Sequence, residues 1–205
     1  QHITSISRIL NDKYVWIDRF TIRNLELISS PHIGGLSLIE VLDKTVSPMG
    51  ARLLKRWVVL PLKEQKAIQN RLDAVECLVK ETELVIQLVA YFKQIGDLER
   101  LISKVPMGKI NPREMNQLKK SLQTIEPIIA LCKTAKVERL NKIADLLHPC
   151  AALKERIERE LMEDAPPIVQ KLGVIAPGVS EELDDLRKMA SSGKGYLTEL
   201  QIKET

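Results

Sequence analysis

Aromatic residues are scarce in this sequence: Phe, Trp and Tyr together make up only 3% of the 205 residues. Hydrophobic residues as a whole reach 44%, so Leu, Ile and Val must build the core. A Leu-rich chain that also carries many Glu and Lys favours helices over sheets. The length suits one large domain or two small ones, with enough residues to bury a core.

Cysteine is also scarce, and its spacing argues against two kinds of cross-link. Cys77, Cys132 and Cys150 are widely separated, no C-x-x-C pair exists, and no histidine lies at ligand spacing from them. A structural zinc site and a disulfide framework are therefore disfavoured, and a reducing compartment fits this pattern better.

Long apolar runs are absent as well. No run approaches the roughly 20 residues of a membrane-spanning helix, no signal peptide is present, and Gln1 in place of Met suggests a piece of a longer chain. We therefore expect a cytoplasmic protein with no membrane partner. The net charge of +4 is mildly basic, and the two signs are interspersed, which indicates nucleic-acid contact only weakly.

Histidine offers no catalytic pattern, because His2, His32 and His148 do not stand beside a candidate nucleophile. The closest Cys/His pair, His148 and Cys150, is better interpreted as a helix-ending turn with a small buried thiol. An unknown hydrolase is therefore the weakest of three functional hypotheses.

A short Gly-containing segment, Ser191-Ser192-Gly193-Lys194-Gly195, resembles part of a phosphate-binding loop. The full signature needs a glycine where Lys188 stands, a Ser or Thr where Gly195 stands, and a preceding strand. A flexible joint in the last helix is the favoured interpretation, since each glycine costs about 1 kcal/mol there. We expect no catalytic, cofactor-binding or metal-binding residue in this chain.

Charged clusters in the chain admit a structural and a functional interpretation. Asp97 and Glu99 bring two carboxylates together, which suits a helix start with Asp97 as N-cap better than a catalytic dyad. The basic clusters are interpreted as solvated helix faces, with phosphate contact as the alternative. The members of these basic clusters are Arg52, Lys55, Arg56, Lys119 and Lys120.

Residues 1–30 differ in pattern from the rest of the chain. Tyr14 to Ile17 form a short β-like run, Thr21 to Asn24 are predicted as a turn, and Leu25 to Ile28 as a second extended piece. The segment 29–35, with its serines, proline and glycines, is predicted as a loop.

From Leu36 onward the hydrophobic period is helical. Ser47 and Pro48 predict the cap and first residue of a helix that Pro61 ends. The apolar positions expected to form the buried face of that helix are Met49, Leu53, Trp57 and Leu60. The same pattern continues in a short helix before it and two helices after it, through Leu38, Ile39, Leu42, Ile68, Leu72, Val75, Val79, Leu84, Leu88 and Ile95.

The next helices are predicted from clear start signals. Asp97 is a candidate N-cap, and Asn111-Pro112 predicts the start of a long helix. Glu126-Pro127 is expected to kink that helix. Two further amphipathic helices are predicted over residues 137–147 and 153–161.

Residues 162–179 interrupt the helical pattern, because Pro166 and Pro167 cannot continue a helix. Residues 168–169 and 174–175 could form a small hairpin. Ser180 is predicted to cap a last helix of roughly 35–40 Å that runs to the terminus. We expect the apolar stripe of this helix to be partly exposed, namely Leu183, Leu186, Met189, Leu197 and Leu200.

Several short motifs run through the chain in a fixed order. The most specific is the segment from Asp43 to Trp57, which with the preceding Leu42 follows L-D-x-T-x-T-x-M-G-x-R-x-L-x-x-W, apart from Ser47 at the second threonine, and is followed by Pro61. Other segments fit D-x-x-T-x-R-N-L-E, R-L-D-x-V, D-L-E-R, P-R-D/E, E-D-x-P and E-L-D-x-L-R. The residues that carry these motifs include Asp18, Thr21, Asn24, Leu25, Glu26, Asp43, Thr45, Gly50, Arg52, Leu54, Trp57, Pro61, Arg71, Asp97, Leu98, Glu99, Arg100, Glu182, Leu183, Asp184, Leu186 and Arg187.

This ordered set resembles the core domain of the MutS family of DNA mismatch-recognition ATPases, over about residues 10 to 205. Two positions depart from the family pattern: Leu172 stands where a second glycine is common, and Val179 where an aromatic is common. In the family, both positions lie at the base of a DNA-gripping clamp arm, so the departures concern packing there.

The resemblance implies a mostly α fold: a multi-helix core of the MutS domain III type, with a short β-like N-terminal segment and a long C-terminal lever helix. It implies a connector-to-core segment at 1–30, a helical core domain at 31–179, and the truncated start of a lever or clamp helix at 180–205. This region would transmit state between mismatch-reading and ATPase domains, neither of which lies in the chain.

Cofactors and partners are implied by the resemblance for the parent protein alone. They are ATP and Mg²⁺, mismatched double-stranded DNA, a second copy of the same protein, and a MutL-type partner, in the nucleoid-associated cytoplasm of a bacterium. The residues that bind ATP and Mg²⁺ in the family have no position here. The alternative hypothesis is a free-standing helical adaptor that binds a partner helix, since the last helix lacks a mate.

Overall fold

The computed structural model describes residues 13–135, 137–170 and 173–203, with side chains up to residue 193. The described chain is mostly α-helical, which confirms the predicted fold class. The first helices are α1 (Arg19–Asn24), α2 (Leu38–Leu42), α3 (Pro48–Val59), α4 (Gln65–Lys80), α5 (Thr82–Phe92) and α6 (Leu98–Lys104). They are followed by α7 (Pro112–Gln123), α8 (Ile125–Thr134), α9 (Glu138–Leu146), α10 (Ala151–Glu160) and α11 (Glu181–Lys203).

Two compact units make up the described chain. The first contains the described residues up to Ile110 together with Gln117–Cys150, and the second contains Asn111–Asn116 together with the described residues from Ala151 onward. The domain boundaries expected from the sequence, after residues 30 and 179, stay a prediction. Among the described residues, no helix combines the length and the apolar character that a membrane crossing requires.

The first described segment of the first unit is more helical than predicted. The Asp18 carboxylate accepts hydrogen bonds from the amides of Phe20 and Thr21, at 2.8 and 2.9 Å, and so caps α1. The turn predicted at Thr21 to Asn24 is therefore wrong, because this cap satisfies the first amides of a helix. The β-like run reduces to one antiparallel bridge between Tyr14 and Leu62.

The segment from Leu25 to Ile28, predicted to be extended, forms a turn instead. Glu26 has a φ of +48°, in the left-handed region. The carbonyls of Glu26 and Leu27 accept hydrogen bonds from the amides of Leu38 and Ile39, at 2.9 and 3.1 Å. The prediction failed because these carbonyls satisfy the first amides of α2 instead of pairing with a strand.

Helix α3 begins and ends as predicted. The Ser47 hydroxyl accepts a hydrogen bond from the Gly50 amide at 3.2 Å, and Pro48 occupies the first helical position. The last helical residue is Val59, two positions before Pro61. The serine cap with Pro48 at the start, and Pro61 after the end, are thus sufficient to predict the bounds of this helix from the sequence.

The hydrophobic periodicity predicted correctly which segments are helices, but it did not predict which face of each helix is buried. Leu53 and Trp57 of α3 are 47% and 40% exposed, so the buried face predicted there is wrong. Four apolar residues of α4 are also exposed, namely Ile68, Leu72, Val75 and Val79. The core is contacted instead by Ala74, Cys77 and Leu78. Helix α4 therefore carries two apolar faces, one of which points to solvent.

The core of the first unit lies where α5, α8 and α9 meet, with α4 packed against it. Its buried members are Leu88, Ile128, Cys132, Ala135, Leu140 and Ala144. They are aliphatic or small, as the low aromatic content predicted. Leu84 and Ile95 pack against this core, although Ile95 follows the end of α5 instead of lying within it.

Helix α7 starts with the predicted asparagine cap. Asn111 Oδ1 accepts a hydrogen bond from the Glu114 amide at 2.9 Å, and the Glu114 carboxylate accepts one from the Asn111 amide at 3.2 Å. The following helix breaks at Thr124 instead of kinking at Pro127. Pro127 lies in the first turn of α8, where a missing amide N–H disrupts no helical hydrogen bond.

A short antiparallel bridge organises the second unit. Leu161, directly after α10, pairs with Ile175, and backbone hydrogen bonds from the amides of Met162 and Ala176 flank the pair at 3.0 and 2.9 Å. The predicted hairpin is therefore wrong, because Ile175 pairs with the segment after α10 and not with residues 168–169, which form a bend and a turn.

Helix α11 begins at the predicted cap. The Ser180 hydroxyl accepts a hydrogen bond from the Leu183 amide at 3.3 Å. The helix has 23 residues and is therefore about 34 Å long, close to the predicted length. It continues through Gly193 and Gly195 without a break, and the flexibility expected of these two positions stays a prediction.

The apolar stripe of α11 is exposed at two of its predicted positions. Leu186 is 57% exposed and Met189 is 68% exposed, whereas Leu183 is half-buried. The side chains of Leu197 and Leu200 lie outside the described residues. The predicted partial exposure is therefore confirmed for the first half of this helix.

Candidate functional site

The described residues show no arrangement suited to metal or nucleophilic chemistry. Among them, no three His, Cys, Asp or Glu side chains are grouped so as to hold a metal ion. His148 and Cys150 follow the end of α9, and His148 Nδ1 accepts a hydrogen bond from the Cys150 amide at 3.0 Å. Cys150 is only half-buried, so the buried thiol predicted there is wrong. Burial raises the pKa of the Cys132 thiol, which keeps this thiol protonated.

A charged cluster links α3 to the start of α6 in the first unit. The Arg52 guanidinium donates hydrogen bonds to both oxygens of Asp97, at 2.9 and 2.7 Å, and to Glu99 at 2.9 Å. Asp97 also accepts a hydrogen bond from the Arg100 amide at 3.2 Å, as predicted for an N-cap. The hydrogen bonds from Arg52 lower the pKa of Asp97 to about 2. The hydrogen bonds to Asp97 and to Glu99 raise the pKa of Arg52. The structure thus gathers four motif residues from two separate motifs.

The same cluster bears on the predicted basic faces. Arg52 is engaged by two carboxylates, so its guanidinium is not free for a phosphate, whereas Lys55 and Arg56 are exposed on α3. Lys119 is only 5% exposed, which contradicts a solvated face. It lies one turn from the buried Leu122 on α7, so neighbouring residues cover its aliphatic stem.

Helices α3 and α4 are joined by an aromatic contact between two motif residues. The guanidinium carbon of Arg71 lies 3.8 Å from the centroid of the Trp57 ring, which is a cation–π geometry. Desolvation and repulsion from Arg139 lower the pKa of Arg71. Local sequence patterns could place both residues on helices but could not show that they meet.

Two further motifs form local turns. The amide and hydroxyl of Thr45 donate to the Asp43 carboxylate at 2.9 and 2.6 Å, which lowers the pKa of Asp43. The Thr21 amide and hydroxyl do the same for Asp18 and lower its pKa. At Gly50, a Cβ would stand 3.1 Å from Ser47 Oγ, so a larger residue would crowd the cap of α3.

The other motif residues pack, face solvent or contribute backbone groups. The Pro61 carbonyl accepts a hydrogen bond from the Val15 amide at 2.8 Å, and the Glu26 carboxylate lies 3.4 Å from His32. Leu54, Leu98 and Leu183 are half-buried, whereas Asn24, Leu25, Glu182 and Leu186 are exposed.

The base of α11 is fixed by two motif residues of the second unit. Arg187 donates to Asp184 at 2.9 Å and to the carbonyl of Ile175 at 2.8 Å. Asp184 accepts a hydrogen bond from the Gly178 amide at 2.6 Å, and this bond is the main cause of the lowered pKa of Asp184. Gly178 has a φ of +84°, which favours glycine at this turn. The two side chains therefore tie the segment before α11 to its first turns.

Asn116 on α7 is among the buried polar residues that sequence reasoning missed. This residue is only 4% exposed, and its Nδ2 donates hydrogen bonds to the carbonyls of Met162 and Glu163, at 2.7 and 3.0 Å. The available signal was an asparagine, a poor helix former, placed between the apolar positions Met115 and Leu118 of a helix.

These contacts define a mostly helical chain in which the motif residues cap helices, join neighbouring helices and order turns. The family described as MutS domain III matches residues 20–203, and the chain belongs to the MutS family through this domain. The predicted resemblance is therefore confirmed.

Curated relatives agree with this assignment. The chain is 51% identical to the DNA mismatch repair protein MutS of Christiangramia forsetii over 205 residues, which is 100% of this chain and 24% of the relative. It is 50% identical to that of Bacteroides fragilis over 204 residues, with 100% and 24% covered, and 52% identical to that of Cytophaga hutchinsonii over 203 residues, with 99% and 24% covered. The chain thus spans about a quarter of the length of these relatives. The adaptor hypothesis is not supported by these comparisons.

Proposed function

We propose that this domain transmits changes of state between a part that grips mismatched DNA and a part that hydrolyses ATP. The observation that carries the proposal is α11, a helix about 34 Å long whose base is fixed by Asp184 and Arg187. A helix fixed at its base moves as a rigid rod, so a small rotation there displaces its whole length.

The first unit supports this role because its helices are cross-linked by specific contacts. Arg52 holds Asp97 and Glu99, and Arg71 stacks on Trp57, while a closely packed aliphatic core joins α4, α5, α8 and α9. Such packing resists continuous deformation, so the unit would move as one body when a neighbouring part of the protein changes state.

The whole protein carries the remaining parts of the proposal. It would bind mismatched double-stranded DNA as a homodimer, use ATP and Mg²⁺ in a separate domain, and engage a MutL-type partner in the nucleoid-associated cytoplasm. The support is the membership of the MutS family and the fact that the relatives are named DNA mismatch repair proteins.

The first test compares the 205-residue chain with the whole protein. The chain alone should show no ATPase activity, and it should bind DNA weakly, in a salt-sensitive way, without distinguishing a G·T mismatch from homoduplex. Fluorescence anisotropy with the two duplexes at several salt concentrations measures this. Tight, mismatch-selective binding by the chain alone would contradict a transmission role.

The second test breaks the base of α11 in the whole protein. Arg187→Met should slow or uncouple the ATP-triggered release of mismatched DNA, with nucleotide-free mismatch binding retained. Lys188→Met is a matched control, because Lys188 forms an exposed i,i+3 ion pair with Asp185 at 3.0 Å on the same helix. Equal effects of the two variants, or none, would count against the proposal.

A further inference from the structure

The second unit contains a chain of consecutive hydrogen bonds that begins at Asn116. Asn116 Nδ2 donates to the Met162 carbonyl at 2.7 Å, and the Met162 amide donates to the Val174 carbonyl at 3.0 Å. The next carbonyl along, that of Ile175, accepts a hydrogen bond from Arg187 at 2.8 Å. Asn116 and Arg187 therefore act on the two sides of the same short bridge.

We propose that Asn116, Asp184 and Arg187 are positioning residues of a single joint, which couples the start of α7 to the base of α11. Asn116 holds the segment that follows α10, and Arg187 holds the segment that precedes α11. The bridge between Leu161 and Ile175 connects the two. This inference deepens the proposed transmission role and rests on it for its biological meaning.

The geometry favours one joint over two separate contacts because the shared element is so short. A two-stranded pairing of one bridge has little stability of its own. Besides the burial of Val174, the bridge is held by side chains that bind carbonyls on both of its segments, the amide of Asn116 on one and the guanidinium of Arg187 on the other. Loss of either side chain should therefore loosen the whole bridge, including the contact at the opposite side.

Asn116 is suited to this task by its burial and its donor geometry. Its amide group binds two successive carbonyls, those of Met162 and Glu163, and so defines the direction of the backbone there. A leucine has the same branched arrangement of four side-chain heavy atoms but makes neither hydrogen bond. Asn116→Leu therefore removes the contact and keeps most of the packing.

The test is amide hydrogen exchange of the 205-residue chain, followed by NMR. Asn116→Leu should accelerate exchange of the Met162 amide at least tenfold. It should also accelerate the Gly178 amide at least tenfold, although that amide is bonded to Asp184 at the other side of the joint. The Leu140 amide, bonded to the Val137 carbonyl in the first unit, should stay unchanged and so report that the core is intact.

A matched control lies on the same helix. Ser121 is fully buried on α7, and its hydroxyl accepts a hydrogen bond from the Gly96 amide at 3.0 Å in the first unit. Ser121→Ala should leave the Gly178 amide unchanged. If Ser121→Ala accelerates Gly178 as much as Asn116→Leu does, or if Asn116→Leu leaves Gly178 within twofold of the parent chain, the joint does not exist.

The reciprocal variant keeps the inference testable if Asn116→Leu fails to fold. Arg187→Met should accelerate the Met162 amide at least tenfold, and Arg187→Lys should restore part of the protection. In the double variant, the acceleration at Met162 should not exceed that of the stronger single variant, since one joint can be opened only once. Multiplied effects would show two independent contacts and overturn the inference.

The exchange experiment contains neither DNA nor nucleotide. Its failure would leave the proposed transmission role standing, with another set of residues as its basis. Conversely, the exchange experiment could show that the joint exists while Arg187→Met leaves the ATP-triggered DNA release of the whole protein unchanged. That combination of results would contradict the transmission role and leave the joint standing.

Discussion

Arg52 binds the carboxylate that caps α6: its guanidinium donates hydrogen bonds of 2.9 and 2.7 Å to Asp97, 45 residues later in the chain. One carboxylate thus serves as a helix cap and as an ion-pair partner. Because Oδ1 of Asp97 takes part in both roles, we expect a change at Arg52 on α3 to affect the start of α6 as well.

Arg52→Lys should lower the thermal unfolding midpoint of the chain, although the charge is kept. A lysine presents a single point of attachment, whereas the guanidinium makes two hydrogen bonds to Asp97 and two to Glu99. Differential scanning calorimetry measures the change. Lys55→Arg, an exposed substitution on the same helix, should leave the midpoint unchanged, and an equal shift in both variants would contradict the prediction.

Acid should weaken the chain partly through Asp97. Its pKa is about 2 in the folded chain, below the ordinary value of 3.8, so its contribution to the free energy of unfolding is complete above pH 3.8. The contribution is lost as the pH falls from about 3.8 towards 2.

Asp97→Asn isolates this contribution from those of other carboxylates. Urea denaturation at pH 6 and at several values between 4.5 and 2.5 should show a shallower loss of stability for the variant than for the parent chain. Parallel curves over that window would show that Asp97 titrates alike in the folded and unfolded states.

The stack of Arg71 on Trp57 should contribute about 0.5–1 kcal/mol, the usual range for a partly exposed cation–π pair. Arg71→Met and Trp57→Leu, alone and together, form a double-mutant cycle measured by urea denaturation. We expect a coupling energy in that range. Arg56→Met with Trp57→Leu is the control pair and should be additive; a coupling as large as that of Arg71 would show a general charge effect.

Shortening a side chain on the buried face of α9 should destabilise the first unit much more than shortening one on its exposed face. Leu140 is buried, so Leu140→Ala should reduce the free energy of unfolding by about 2–5 kcal/mol. Leu146 lies on the same helix and is 83% exposed, so Leu146→Ala should change it by about 0.5 kcal/mol or less. Urea denaturation of both variants checks the contrast, and similar losses would place the core elsewhere.

The helix starts were predictable because their signals are local. Ser47 with Pro48, Asn111 with Pro112, and Ser180 each satisfy amides within the next four residues, so the sequence window contains both donor and acceptor. Asp18 carries the same signal for α1, but the β-branched residues around it favoured a turn and extended pieces instead.

The contacts between helices were not predictable from one sequence. Arg187 binds a backbone carbonyl, at Ile175, which no side-chain pattern marks. The apolar face of α4 through Leu72 and Val75 has the same period as a buried face, because periodicity records that a face is apolar and not whether a partner covers it. Family motifs located residues such as Arg52 and Asp97 but did not show which of them meet.

Because α11 is long, a small tilt at its base produces a larger displacement at its far end. A slip of 1 Å across one helical turn of 5.4 Å is a tilt of about 10°, which displaces the far end of a helix of about 34 Å by about 6 Å. The bond lengths that Arg187 and Asp184 maintain therefore determine the angular precision of the distal end. A slip of 1 Å at the base would therefore move the far end of the helix by about the width of a side chain.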